Sequence, residues 1–423
     1  MNNKPNILFV TPILGHPPKG GPELRIENSI KALAKVSDLT LYCRVPLSQM
    51  GGDTAVQYLR HFAKSIYFAP FCTTQHTTIF SMIPRAINLI SRTIAGRDIL
   101  LPASSLKIEG QSDYLDVIEK AELIGADVIW LGFGNISYPL LKYIKENSRI
   151  PVVVDTDSVW SRFLLRGTPY AKDDSEREQI EADGKAKEEE ECWGTNLADV
   201  TTGVSEIDAE YYRNLSKDPT RVHLFSNVID LSFYAHTDKP LNFKTPSIYL
   251  AGTFWPGSPM EDAARWMRRE ILPLVKREIQ DIHFYIAGRS SETILADIND
   301  DNVTITGELP SVLPYLTNAT VSVVPLRFES GTRFKILEAG ACAIPVVSTT
   351  LGAEGIPAID GKDILIADTP EDFANLIVKV INNPQMADHL GSNLRKLVTK
   401  HFSIDALATE GQNIIDFLQR RRA

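Results

Sequence analysis

The sequence has few cysteines and no long hydrophobic run. Its 423 residues include four cysteines, at positions 43, 72, 192 and 342, whose spacing fits neither a metal site nor a disulfide framework. No run of about 18 apolar residues is present, which argues against a membrane-spanning helix. The N-terminus leads directly into a strand-like segment and lacks a signal-peptide pattern. These absences predict a cytoplasmic protein with free thiols.

The chain also lacks a basic surplus, a repeat and a common nucleotide motif. Its 44 Lys and Arg against 53 Asp and Glu give a net charge of −9, so no nucleic-acid partner is predicted. No repeat at a 20–50-residue period is visible. No G-x-G-x-x-G follows the first strand, which makes a dinucleotide oxidoreductase the least favoured class. The length and the 43% hydrophobic content predict two globular α/β domains.

Short apolar runs alternate with helical patterns along the chain. A helix is predicted for 23–35 and another for 404–420. Strands are predicted for 6–11, 39–43, 127–131, 151–155, 201–205, 247–252, 283–288, 303–307, 321–325 and 346–348. This alternation predicts βαβ units with parallel sheets, whose ligands gather at the carboxyl ends of the strands.

A strand–loop–helix segment at 321–341 carries the strongest functional signal. Gly331 and Thr332 place backbone N–H groups at the start of the predicted helix 334–341, where the helix dipole favours an anion such as a phosphate. Arg327, Arg333 and Lys335 add positive charge around the same point. The segment is therefore predicted to bind a diphosphate without a P-loop.

Glu338 lies one turn into the same predicted helix and is placed to accept hydrogen bonds from ribose hydroxyls. The runs GTRFKILEA, PVVST and LGAEG in this segment resemble the nucleotide-sugar signature of retaining glycosyltransferases of the GT-B fold, family 4, also called glycosyl transferases group 1. The resemblance is strong in the C-terminal half and weak in the N-terminal half. It implies two Rossmann-like domains facing across a nucleotide-sugar cleft.

The resemblance also implies an activity. A family member moves a sugar from a UDP- or GDP-type donor to a glycan or lipid-linked acceptor with retention, without metal or cofactor, often in cell-surface polysaccharide synthesis. The leaving phosphate is usually proposed to help deprotonate the acceptor. On this basis Arg327 and Lys335 are predicted to be catalytic, and Gly331, Thr332, Arg333 and Glu338 to bind the donor.

Two positions depart from the family pattern. The family's first glutamate, which touches the donor sugar, would fall at Ser330, whereas this chain has Glu329 one place early. Ser330 is nevertheless kept as a donor-binding prediction. Many members carry a histidine near the donor sugar where this chain has Asp157. Asp157 is predicted to bind sugar hydroxyls or polarise the acceptor. The alternative is that Asp157 or Ser158 caps the next helix.

Further donor-binding residues are predicted in loops. Gly20 and Gly21 follow the first strand and allow close approach of a diphosphate, although a simple turn is the alternative. Arg25 either reaches the same phosphates or is a solvated surface charge. The resemblance adds Gly252 after one strand, and Gly307 and Leu309 near the base. The Asp155-x-Asp157 pair is not interpreted as a metal site, because GT-B enzymes hold the diphosphate with cations and helix N-termini.

The predicted boundaries are 1–238 for an acceptor-side domain, which the helix at 404–423 rejoins, and 239–403 for the nucleotide-sugar domain. A cationic amphipathic helix at 79–94 either contacts the inner membrane face peripherally or packs on the first domain. The acidic segment 173–191 is predicted to be a solvated helix. Two rival functions remain open: a nucleotide-sugar epimerase on the same fold, and a non-catalytic nucleotide-sugar-binding protein.

Overall fold

The computed structural model describes residues 4–70 and 112–422, which divide by their internal contacts into two units. The first unit contains the described residues up to 228 together with 404–422, and the second contains 229–403. The amphipathic helix predicted for 79–94 lies outside the described residues. No helix within the described ranges has the length and apolarity needed to cross a membrane.

The first unit is built on a seven-stranded parallel sheet with the order β3-β2-β1-β4-β5-β6-β7. Its strands are β1 (Asn6–Thr11), β2 (Asp38–Cys43), β3 (Ser65–Phe68), β4 (Val128–Gly132), β5 (Val152–Asp155), β6 (Val200–Gly203) and β7 (Val222–Leu224). The central β4 and β5 are buried along their whole length, as expected for strands covered on both faces. The chain reverses its direction of strand addition between β1 and β4.

The second unit has a six-stranded parallel sheet with the order β10-β9-β8-β11-β12-β13. Its strands are β8 (Ser247–Ala251), β9 (His283–Ala287), β10 (Val303–Ile305), β11 (Val321–Val324), β12 (Val346–Ser348) and β13 (Leu365–Ile366). Here the order reverses between β8 and β11. Ligands of open parallel sheets bind outside the strands' carboxyl ends at such a reversal.

Helices connect the parallel strands. In the first unit they are α1 (Gly21–Val36), α2 (Leu47–Met50), α3 (Gly52–Leu59), α4 (Ser112–Leu123), α5 (Tyr138–Asn147), α6 (Trp160–Arg166), α7 (Asp174–Leu197) and α8 (Glu206–Leu215). In the second they are α9 (Pro259–Trp266), α10 (Leu272–Glu278), α11 (Ser291–Ile294), α12 (Leu313–Leu316), α13 (Phe334–Ala341), α14 (Pro370–Ile381) and α15 (Pro384–His401). A π-helical turn, Met267–Ile271, joins α9 to α10. Short 3-10 helices lie at Gly134–Ile136, Thr168–Tyr170, Pro219–Arg221 and Leu231–Phe233.

The C-terminal helix, Ile404–Arg422, is part of the first unit. Glu410 accepts hydrogen bonds from the backbone N–H (2.7 Å) and hydroxyl (2.9 Å) of Ser226. Gly411 packs closely on α1, because a Cβ added there would lie 3.1 Å from the Leu33 side chain. These contacts complete the first unit with a segment that follows the second in the chain.

The prediction of a solvated acidic helix is wrong for part of α7. Although most of its charged residues face solvent, Lys187 is 3% exposed and Glu191 is fully buried. Glu176, at the start of the helix, is also buried and accepts a hydrogen bond from the Lys172 N–H. One side of this charged helix therefore packs into the first unit.

Candidate functional site

The loop between β11 and α13, residues 325–333, contains the predicted diphosphate-binding residues. Gly331 has a φ of 80°, a left-handed conformation that glycine adopts without strain. Ser330 and Thr332 on either side of it are 8% and 7% exposed. Arg333, the N-cap of α13, makes no side-chain capping hydrogen bond. The positive end of a helix dipole favours an anion at this position.

Two of the three predicted cations are engaged with protein groups. Arg327 forms a two-point ion pair with Asp262, at 2.9 and 2.5 Å, and its guanidinium lies 5.2 Å from the centroid of the Trp266 ring. Arg333 is 4% exposed and donates to the carbonyl of Gly331. Arg333 therefore stabilises the turn at Gly331, and the Asp262 carboxylate compensates the charge of Arg327.

Lys335, in the first turn of α13, differs from both arginines. It is half-buried, and it has no ion-pair or hydrogen-bond partner among the residues that the structure describes. Burial lowers the pKa of its ammonium, and the positive charge of Arg333 acts in the same direction, against the raising effect of Glu329. Lys335 is thus a poorly solvated cation whose charge would be better compensated by a bound anion.

Glu338 lies one turn further along α13. Its Oε1 accepts a hydrogen bond from the hydroxyl of Tyr234 at 3.1 Å, and burial raises the pKa of its carboxyl group. The hydrogen bond from Tyr234 fixes one carboxylate oxygen. The geometry is compatible with the predicted role toward two neighbouring hydroxyls of a ribose.

Glu338→Gln should weaken nucleotide binding by about tenfold, because an amide accepts weaker hydrogen bonds from hydroxyls than a carboxylate does. The measurement is the dissociation constant for UDP and GDP by calorimetry. Tyr234→Phe is the matched control, since it removes a hydrogen bond to the carboxylate while keeping the carboxylate itself. Unchanged affinity in Glu338→Gln would contradict the role of Glu338.

The loops after β8, β9 and β10 approach one another at the same sheet edge. A Cβ added to Gly288 would lie 1.9 Å from the carbonyl oxygen of Gly252, so only glycine permits this approach. The N–H of Gly288 donates to the carbonyl of Gly307 at 2.9 Å. The structure therefore brings the predicted Gly252 and Gly307 together around Gly288, and the half-buried Leu309 follows in the same loop.

In the first unit, Gly20 and Gly21 lie at the start of α1, with Gly20 as N-cap in an extended conformation. The carboxylate of Glu23 occupies the same helix end and accepts a hydrogen bond from the Lys19 N–H at 2.5 Å. This carboxylate partly offsets the positive potential of the helix N-terminus. The two glycines are therefore at the predicted place, next to a negative charge that the sequence argument did not take into account.

Arg25 takes neither of the positions expected for it. Its side chain is 2% exposed, and its guanidinium forms an ion pair with the fully buried Asp155. It also donates to Oδ1 of Asn227 and to the Thr156 carbonyl, both at 2.8 Å. This burial corrects both expectations, because the guanidinium is neither a solvated charge nor presented toward phosphates.

Asp157 follows β5 at the carboxyl edge of the sheet. Burial raises the pKa of its carboxyl group to about 7, against the lowering effect of the positive charge of Arg25. Its Oδ1 accepts a hydrogen bond from Trp160 Nε1 at 3.0 Å, and its N–H donates to Asn135 Oδ1 at 3.0 Å. The predicted alternative, a cap on α6 by Asp157 or Ser158, is wrong, since α6 has no side-chain cap from its N-cap residue Val159.

A buried carboxylate from α7 provides the contact at the start of α6. Glu191 Oε1 accepts from the Trp160 N–H at 2.8 Å, and its other oxygen accepts from the hydroxyls of Ser161 (2.6 Å) and Tyr211 (2.9 Å). Sequence reasoning missed Glu191 because it stands in a run of four glutamates. The run gives no signal that this one faces inward.

The Asp155 carboxylate forms an ion pair with Arg25, whereas the Asp157 carboxylate accepts a hydrogen bond from Trp160. Within residues 4–70 and 112–422, no three His, Cys, Asp or Glu side chains are grouped to hold a metal ion.

Each of the two units is a parallel α/β sheet with polar loops where the strand order reverses, which is the architecture of two Rossmann-like domains. Residues 245–383 match the family model of glycosyl transferases group 1. The predicted resemblance to this group and the predicted GT-B fold are confirmed. An uncharacterized glycosyltransferase of Methanocaldococcus jannaschii is 34% identical over 94 residues, which is 22% of this chain and 26% of that protein. The match thus spans about a quarter of this curated relative.

Two solved structures are similar over nearly the whole chain. Anabaena HepE in complex with UDP and glucose has a TM-score of 0.61 and 12% identity, covering 98% of this chain and 99% of its own. Sucrose-phosphate synthase from Thermosynechococcus elongatus has a TM-score of 0.65 and 15% identity, covering 99% and 100%. At these identities the likeness shows the fold.

Proposed function

We propose that the protein is a retaining glycosyltransferase of the family 4 type, which transfers a sugar from a nucleoside-diphosphate donor to a glycan or lipid-linked acceptor. The observation that carries the proposal is the 325–333 loop, where a left-handed Gly331 leads into the N-terminus of α13 beside the partly buried Lys335. A diphosphate bound there would meet the N-terminus of α13 and a cation. The complex of HepE with UDP and glucose favours UDP as the nucleotide.

In the proposed reaction, negative charge develops on the leaving diphosphate. Lys335 and the N–H groups at the start of α13 stabilise that charge, while Arg333 holds the turn and Glu338 binds the ribose. No metal takes part. Transfer keeps the anomeric configuration through attack on the face that the diphosphate leaves. A role in cell-surface polysaccharide synthesis, in the cytoplasm or at the inner membrane face, completes the proposal.

The first test is thermal stabilisation by a panel of UDP-, GDP-, TDP- and CMP-sugars, with and without EDTA. A ligand at 100 times its dissociation constant stabilises a protein that binds it only when folded by about 2.7 kcal/mol. An EDTA-insensitive shift with one nucleotide class is expected. If no sugar nucleotide shifts the midpoint, the donor site is wrong. Epimerised donor in the absence of transfer would favour the epimerase instead.

Asp157 predicts a pH dependence of turnover. Because its pKa is raised to about 7, the carboxylate fraction increases between pH 6 and pH 8. If the carboxylate binds a sugar hydroxyl, the rate of donor cleavage should rise through this range. Asp157→Asn should lower the rate and remove this limb of the pH–rate profile. An identical limb in Asp157→Asn would assign it to another group.

A further inference from the structure

The loop that follows β1 contains a histidine outside the proposed donor site. His16 lies at the carboxyl edge of the first sheet, just before Gly20. Its Nδ1 is 2.8 Å from Oε2 of Glu27, a residue that is 2% exposed. Glu27 is on α1, so the ring is held by the helix that its own loop leads into.

Contacts from two other elements hold the ring and the backbone of His16. Its ring stacks on that of Tyr58 in α3, with centroids 3.7 Å apart and planes at 10°. The backbone N–H of His16 donates to the carbonyl of Met50 at 2.9 Å. A Cβ added to Gly51 would lie 2.3 Å from the His16 carbonyl oxygen, so glycine is required beside this loop. The position of His16 is thus set by three separate segments.

The buried carboxylate of Glu27 has its own compensation. Its Oε1 lies 2.9 Å from Nζ of Lys31, which is 6% exposed, and 3.4 Å from the Tyr58 hydroxyl. A carboxylate accepts hydrogen bonds only, so Nδ1 of His16 carries the hydrogen of the neutral ring. The tautomer is therefore the one whose Nε2 presents a lone pair.

Nε2 is the atom that this arrangement leaves available. The side chain of His16 is 19% exposed, and among the described residues its ring has a hydrogen-bond partner at Nδ1 alone. The stack on Tyr58 and the hydrogen bond between Nδ1 and Glu27 would be sufficient for a histidine that only stabilises the loop. Nε2 adds a hydrogen-bond acceptor in the loop after β1, at the sheet edge where ligands of such folds bind.

We propose that Nε2 of His16 accepts a hydrogen bond from a hydroxyl group of one of the two reactants, and that Glu27 positions the ring. The inference rests on the proposed transfer reaction. The hydroxyl belongs either to the acceptor or to the donor sugar. When the donor is hydrolysed, a water molecule takes the place of the acceptor. Either hydroxyl would donate the same hydrogen bond to Nε2. The acceptor hydroxyl would make the hydrolysis rate depend on His16, whereas the donor-sugar hydroxyl would make the affinity for UDP-glucose depend on it.

Two substitutions separate the two ring nitrogens. His16→Asn places an amide nitrogen near the position of Nδ1 and keeps a donor toward Glu27, whereas His16→Gln places its amide near Nε2. His61→Asn is the matched control, since His61 is exposed on the same unit and bonds the Tyr58 carbonyl. For each protein, we would measure the melting midpoint, the affinities for UDP and UDP-glucose, and the rate of UDP-glucose hydrolysis.

If the hydroxyl is the acceptor's, His16→Asn should hydrolyse UDP-glucose at least about tenfold more slowly with unchanged affinities, and His16→Gln should recover part of the rate. If the hydroxyl is on the donor sugar, the affinity for UDP-glucose should fall while that for UDP stays constant. Wild-type hydrolysis and affinities in His16→Asn would overturn the inference. A wild-type protein that binds no sugar nucleotide would instead remove the proposed function, and the role of His16 with it.

If His16→Asn has a lower melting midpoint, a slower hydrolysis rate could result from destabilisation instead of from the loss of Nε2. The wild-type protein then gives an independent readout through the ¹⁵N signals of its imidazole. We expect an unprotonated Nε2 whose resonance moves on addition of UDP-glucose, and in Glu27→Gln a changed tautomer population. A protonated Nε2 in the neutral ring, or a resonance that the ligand leaves unmoved, would contradict the assignment.

Discussion

Lys335→Ala should lower the rate of donor cleavage by about a hundredfold to a thousandfold, the effect of removing one preorganised group that stabilises transition-state charge. The expected loss is large because the half-buried ammonium has no partner among the described residues and would act directly on the diphosphate. Affinity for the nucleotide should fall less than the rate, since the charge on the leaving group increases as the bond breaks. Single-turnover release of the nucleotide measures the rate.

The control for this substitution is Lys379→Ala, which removes an exposed lysine from α14 of the same unit. Lys335→Arg should retain part of the activity because it keeps the charge but changes the geometry. Because burial lowers the pKa of Lys335, wild-type activity should also decline at alkaline pH earlier than an ordinary lysine would cause. Normal kinetics in Lys335→Ala would refute the assignment of the 325–333 loop to the diphosphate.

Arg25→Ala should destabilise the first unit by about 3–5 kcal/mol, the usual result of removing one partner from a buried ion pair. Asp155 is fully buried, and burial already raises its pKa against the lowering effect of Arg25. Without Arg25 the carboxylate would be left with the Thr202 hydroxyl, 3.0 Å from Oδ1. Urea denaturation of the wild type and the variant measures the difference.

The sign of the pH dependence provides a check on this explanation. Loss of Arg25 raises the pKa of Asp155 in the folded protein further above its unfolded value, so the variant should lose stability as the pH rises. Adding Asp155→Asn should recover much of the loss, because no buried charge remains. Lys35→Ala, at an exposed ion pair with Asp405, should cost little. Equal losses in Arg25→Ala and Lys35→Ala would show that the buried pair is not the cause.

The sequence was sufficient to predict the inner strands of both sheets and the edge strand β10, but not the other three edge strands. Strands such as β4 and β5 are continuous apolar runs, and the predicted and observed ends of these two differ by at most one residue. The strands that the pattern missed, β3, β7 and β13, all lie at sheet edges. These three strands are short and partly exposed, so they do not show the hydrophobic run on which the prediction depends.

The candidate site shows the same division. The 325–333 loop was predictable because its glycine, hydroxyl and cations are consecutive in the chain. Pairings such as Arg25 with Asp155, 130 residues apart, or Arg327 with Asp262 depend on tertiary contacts that no local pattern contains. The sequence therefore identified the charged groups by residue type. Only the tertiary structure shows which of them are already paired within the protein.

The place of the C-terminal helix has a consequence for biosynthesis. Residues 229–403 are contiguous, so the second unit can leave the ribosome complete. The first unit, although its sheet is made first, lacks Glu410 and Gly411 until after the second has been translated. Until then the face of α1 around Leu33 and the N–H of Ser226 have no cover from that helix. Nascent chains stalled before residue 404 should accordingly be more sensitive to protease in the segment made first than in the one made second.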